Sequence, residues 1–148
     1  MIVRRLRVVA AVGLGLTVVA CGGGISPAER DAAQVKRTVQ QALGDLANGN
    51  GSAFCALATR GGRATLARTL HGYSCAGIVH LVGGHLSTNT RTGLLHAKVT
   101  QVTVRGRTAT VLAADITSTA GSLKGFLNDG GKPTTLVKQS DGSWKISD

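Results

Sequence analysis

Proton transfer needs a side chain that can take or give a proton near neutral pH, and this chain offers few. It holds seven Asp and Glu, four His, three Cys and one Tyr. Asp115 shares the parity of Ala109, Val111 and Ala113 in an alternating stretch, the set expected to face inward. A carboxylate held in an apolar interior has a raised pKa and can act as a base. The competing reading puts Asp115 at a strand end, where a carboxylate meets solvent or a basic neighbour. Tyr73, two residues before Cys75, is the second candidate; its competing role is packing, with the hydroxyl at a rim. His71, His80, His85 and His96 have no tight metal-ligand spacing such as HExxH, so no metal site is expected. His96 has the opposite parity to Leu95 and Ala97 and is expected to face outward. No GxSxG elbow is present. Gly83-Gly84 and Gly130-Gly131 lack the lysine of a phosphate loop, and no cofactor is expected. Catalysis is therefore the minor reading.

The cysteines carry a different chemistry. The chain opens MIVRRLR and then runs uncharged from Val8 to Ala20. A helix over that run rises only about 20 Å, short of a hydrocarbon core of roughly 30 Å. A basic start, a short apolar stretch and small residues before a break describe an export signal over residues 1–20. Val18-Val19-Ala20-Cys21 resembles the bacterial lipobox. That resemblance implies a diacylglyceryl group on the Cys21 thiol and cleavage just before it. The alternatives are an ordinary exported chain with a chance cysteine, or a true membrane helix. Residues 21–26, with Gly22, Gly23 and Gly24, then form a flexible tether. With Cys21 lipidated, Cys55 and Cys75 remain as a pair in an oxidising compartment. Closing that loop would stabilise the fold by about 3 kcal/mol on the chain-entropy view. Two buried free thiols are the alternative; a redox-active pair lacks the CxxC spacing.

The elements that must position these groups begin with a capping box, Ser26-Pro27-Ala28-Glu29. Ala32, Val35, Val39, Ala42, Leu43 and Leu46 follow at helical spacing, predicting a long helix over 27–47 that stops at Asn48-Gly49-Asn50-Gly51. Shorter helices are expected at 53–59, capped by Ser52, at about 64–70 after a break at Gly61-Gly62, and at 75–82, capped by Ser74. Gly83-Gly84 is expected to end the helical half. From Leu94 the period becomes that of a strand, with Leu95, Ala97 and Val99 on one face and Val102 and Val104 on the other parity. That switch predicts a bulge near Thr100–Gln101. Arg105-Gly106-Arg107 turns the chain into a strand over 108–116, and residues 134–139 and 143–147 form a hairpin around Ser140-Asp141-Gly142. Trp144 is expected to plug the core. Helices first and an antiparallel meander after them make an α+β pattern in one domain, residues 27–148.

In that order, ALGDLANGNG, SAFCALAT, GYSCAGIV, KVTQVTVRGRTATVLA and TTLVKQSDGSWKISD resemble the nuclear-transport-factor-2-like (cystatin-like) proteins, in particular their small exported lipoproteins of actinobacterial type. The resemblance implies a curved antiparallel sheet wrapped on the long helix as a cone with a conical pocket. In enzymes of that superfamily Asp, His or Tyr deep in the pocket moves protons. Here that gives an alternative function: an isomerase- or dehydratase-like enzyme using Asp115, with Tyr73 assisting.

Charge narrows the partners. Without Arg4, Arg5 and Arg7, Lys and Arg fall from 17 to 14 against seven acids, leaving about +7. Arg60, Arg63 and Arg68 cluster, and Arg105 and Arg107 flank a turn. Four aromatic residues, Phe54, Tyr73, Phe126 and Trp144, offer few stacking platforms, and an exported protein has no access to nucleic acid, so none is expected. Anionic head groups and acidic wall polymers suit the charge better; a merely solvated basic surface is the plainer reading. The leading expectation is a non-enzymatic domain held through Cys21 on the outer face of the cytoplasmic membrane or in the envelope. It would bind a small apolar ligand or an envelope protein. A structural accessory subunit without a pocket is the further alternative.

Overall fold

The structure, a computed structural model, describes residues 24–127 and 132–147. The signal stretch and Cys21 lie outside the described residues. Helix α1 spans Pro27–Ala47. Ser26 Oγ accepts from Glu29 N at 3.2 Å and Glu29 Oε2 accepts from Ser26 N at 2.7 Å, so the capping box forms with proline at the first helical position. Val35, Val39, Ala42, Leu43 and Ala47 are its buried stripe.

The next helices depart from expectation at their ends. Helix α2 is Gly51–Ala56, starting one residue before Ser52 and ending three before Thr59. Helix α3 is Arg60–Thr69 and takes Gly61-Gly62 into its first turn rather than starting after them. Thr59 Oγ1 accepts from Gly62 N at 3.0 Å, so the side chain of Thr59 satisfies a first-turn donor that would otherwise be orphaned. Helix α4 is Cys75–His85, capped by Ser74 as expected, and Gly83-Gly84 lies inside its last turn. Gly83 serves close approach: a Cβ there would lie 2.6 Å from Leu46 O and from Gly49 Cα, where α4 crosses the corner after α1. Helix α5, Thr88–Leu95, replaces the expected start of a strand at Leu94. Its threonines and glycine are poor helix formers. Ser87 caps it through Thr90 N, and fully buried Leu94 packs into the main core, with α1 alongside.

The remaining elements are antiparallel strands: β1 Ala97–Val99, β2 Thr103–Arg105, β3 Thr108–Val111, β4 Ile116–Ser118, β5 Thr134–Lys138 and β6 Trp144–Ile146. The class is α+β. The strands form two sheets, β1-β4 and β2-β3-β5-β6, where a single curved sheet was expected. The bulge expected at Thr100–Gln101 is a complete break, and the expected strand over 108–116 breaks opposite it at Leu112–Asp115. Thr100 donates to Asp115 O through both its amide and its hydroxyl, each at 2.8 Å, pinning the two breaks together. Each frame keeps its apolar residues inside: Ala97, Val99 and Ile116 in one sheet, Ala109, Val111, Leu136 and Trp144 in the other. The hairpin around Ser140-Asp141-Gly142 forms as expected, with Gly142 at φ 82° and Asp141 Oδ1 accepting from Ser143 N and Oγ. Leu57–Thr59 covers the outer edge of β6: Thr59 N donates to Ile146 O and Ile146 N to Leu57 O, both at 2.8 Å.

Gly83 and Gly84 of α4 separate close approach from helix breaking. Gly83→Ala is expected to destabilise by about 2 kcal/mol through overpacking. Gly84, with nothing within 4 Å of its missing Cβ, should gain up to about 1 kcal/mol as Ala. Equilibrium urea unfolding of the two variants checks this; equal effects would contradict the crossing.

Candidate functional site

Strand alternation puts Thr103 and Arg105 of β2, and Thr108 and Thr110 of β3, on the face away from α1. The registers carry that face on across β5 and β6. Thr103 lies opposite Thr110 and Thr110 opposite Thr135; Arg105, Thr108, Val137 and Lys145 form the adjoining row. A half-open groove of about 420 Å³ sits here, lined by Thr103, Arg105, Thr108, Thr110 and Leu112. Leu112 is 49% exposed. The lining supplies hydroxyls, methyl groups, one guanidinium and one isobutyl group. It can hold a partner by hydrogen bonding, charge and apolar contact, but it contains no general base. Arg107, beyond the turn, is committed to structure: its Nη2 donates to Lys138 O at 2.7 Å, while Lys138 N donates to Arg107 O.

The interior opposite this face is an apolar core. Val35 on α1 and Val111 and Leu136 on the sheet have no exposed surface, and Trp144 seals the same cluster as expected.

Asp115 and Tyr73 line neither the groove nor the main core. The parity argument for Asp115 is corrected: alternation ends with β3 at Val111, and Asp115 follows in a 3₁₀ turn, Ala113–Asp115. There it is half-buried, and its backbone carbonyl, not its carboxylate, takes the bonds from Thr100. Tyr73 lies in the loop between α3 and α4, 51% exposed, with its ring beside Gly77.

Cys55 and Cys75 are joined as a disulfide with Cα atoms 6.2 Å apart. The bond ties α2 to the first residue of α4 inside a second, small core with Val79, flanked by Leu46, Phe54, Leu66 and Ala76. All four histidines are exposed, His96 at the C-cap of α5 rather than on a strand. Among the described residues no three His, Cys, Asp or Glu side chains gather as a metal-binding group, and no described helix is long and apolar enough to cross a membrane.

Two carboxylates that the sequence did not single out as sites have the most distinctive surroundings. Asp31 Oδ1 accepts from Lys138 Nζ at 2.7 Å and from Trp144 Nε1 at 3.3 Å, across more than a hundred residues. The Lys138 bond, helped by Trp144 and by charge, holds its pKa below the ordinary Asp value. Asp45 sits in the last turn of α1, where no basic residue offsets the negative helix end. Its Oδ2 is buried without a hydrogen-bond partner, and that burial raises its pKa. A wider signal in the sequence is charge segregation: no Asp or Glu occurs between Asp45 and Asp115, while seven Lys and Arg do.

Comparison with known proteins returns no match to a family model, a curated protein or a solved structure.

The two carboxylates should act oppositely on stability. Asp31, with a depressed folded pKa, contributes stability that is complete above the ordinary Asp value and fades as pH falls through the folded value. Asp31→Asn should therefore lower Tm at neutral pH, with the gap to wild type closing in acid. Asp45 has a raised folded pKa, so its penalty is absent in acid and grows as pH rises through that value. Asp45→Asn should raise stability by about 1 kcal/mol at pH 7 and change little at pH 3. Thermal melts across pH 3–7 test both signs.

Proposed function

We propose that the protein is an exported domain, anchored through lipid on Cys21, that works in the cell envelope by binding rather than by catalysis, presenting the outer face of its sheet to an envelope protein. The observation that carries this reading is the position of the groove. It lies outside, over Thr103, Arg105, Thr108, Thr110 and Leu112, while Val35, Val111 and Leu136 bury their side chains in the space between α1 and the sheet. An enclosed apolar ligand would need that interior space. A half-open row of hydroxyls beside Arg105 and Leu112 suits a protein segment better. The order of elements that resembles the nuclear-transport-factor-2-like lipoproteins supports the anchored reading, as does the basic, short apolar stretch before Cys21. No observation favours proton transfer by Asp115.

Two measurements test this. Cys21→Ser should abolish incorporation of radiolabelled fatty acid and leave unprocessed precursor; a variant processed and retained like wild type overturns the anchor. A photo-crosslinking residue at position 110 should give one discrete adduct in intact envelopes, absent when the same residue is put at exposed position 37 of α1. No adduct at 110, or equal adducts at both positions, overturns the sheet-face reading.

A further inference from the structure

Helix α3 is an unusual surface element. None of its residues is buried, although Leu66 packs against the disulfide core. Its outer side carries Arg60, Arg63 and Arg68, and the loop after it leaves Leu70 38% and Tyr73 51% exposed beside exposed His71. Among the described residues no carboxylate pairs with these arginines. Arg63 Nη1 donates to Cys55 O at 3.3 Å and Arg68 Nη2 to Thr65 Oγ1 at 3.0 Å. Among the described residues the ion pair formed is Lys138–Asp31, elsewhere in the fold. The stretch lies wholly within the acid-free region between Asp45 and Asp115.

We infer that α3 and its following loop, residues 60–74, lie on the phosphodiester headgroups of an anionic membrane. Guanidinium groups pair with phosphate oxygens in a bidentate fork. Leucine and tyrosine at the same edge can enter the headgroup boundary, the mix that holds an interfacial helix in plane. The chain path permits it. Asp31, one turn into α1, meets Trp144; three residues along, the Ser147 carbonyl oxygen would lie 3.0 Å from a Cβ on Gly62 in the first turn of α3. Three strand residues span about 10 Å, and a six-residue tether from Cys21 reaches up to about 20 Å. Lipid and α3 can therefore meet one surface. The inference rests on the anchored reading for the membrane's presence; the role it adds is orientation, setting which side of the domain faces the bilayer.

The test uses the full chain purified from membranes and floated with vesicles of phosphatidylcholine alone or mixed with phosphatidylglycerol. Backbone hydrogen exchange over residues 60–74 should slow about tenfold only on the mixed vesicles, and the effect should fade at high salt. The triple variant Arg60→Gln, Arg63→Gln, Arg68→Gln should lose that slowing, and replacement of all three by Lys should keep part of it, since the charge remains while the bidentate fork is lost. Equal exchange on both vesicle types overturns the inference. Slowing by soluble polyglutamate but not by phosphatidylglycerol also overturns it, in favour of an acidic polymer. Failure to float with phosphatidylcholine alone counts against the lipid anchor instead, and leaves the comparison between vesicle types to decide the role of α3.

Discussion

The strands and α5 are arranged around the burial of the stripe on α1. Val35, Val39, Leu43 and Ala47 meet Ala109, Val111, Leu136 and Trp144 from the four-stranded sheet, and Leu94, Ala97, Val99 and Ile116 from the elements beside it. Each fully buried Val or Leu contributes roughly 1.5–3 kcal/mol, so this cluster holds most of the apolar stabilisation available to a domain with so few aromatic residues. Its polar end is closed by Asp31, which takes both the Lys138 ammonium and the Trp144 indole N–H. The indole can be buried there because its one donor has an acceptor.

The helical half depends less on apolar area than on covalent and steric devices. Its own core is small, Cys55, Cys75 and Val79 with half-buried neighbours. A cross-link closing this loop stabilises by about 3 kcal/mol, chiefly by restricting the unfolded chain. Glycines let the backbones cross without an intervening side chain: Gly83 against the corner after α1, and Gly62 against the end of β6. That economy leaves α3 without a buried residue and turns its arginines outward. The same elements that hold this half of the fold together thus create its most basic surface.

The two halves divide the functional possibilities. The sheet offers a hydroxyl-rich outer face with a groove, and the helices offer a cationic edge. Between them lies the apolar cluster built on the stripe of α1. Asp115, the carboxylate expected to act as a base, lies in a 3₁₀ turn and is not among the residues that line the groove or form the main core.

Much of this was legible in local sequence. The capping box and the three- and four-residue spacing of α1 depend only on neighbours within a turn, and the Ser140-Asp141-Gly142 hairpin and the Trp144 plug follow from turn chemistry and residue size. The cysteine pairing followed from the reading of Cys21. Helix α5 was not legible, because threonine-rich segments have weak propensity and this one is held by Leu94 in the tertiary core. Gly61-Gly62 and Gly83-Gly84 resembled breakers, yet two of these glycines answer to backbones far away in the chain. The split of the strands into two sheets was visible only as a parity switch, whose extent depends on the paired break at Leu112–Asp115. The groove, the Asp31–Lys138–Trp144 contact and the unpaired Asp45 carboxylate arise between residues distant in sequence or from burial, for which no local pattern exists. The sequence by itself determined the class, the first helix, the hairpins and the distribution of charge, since these follow from short-range periodicity and composition. Which face stays open, which glycines allow contact and where Asp115 ends up were decided by tertiary structure alone, because each is set by what packs against the chain from elsewhere.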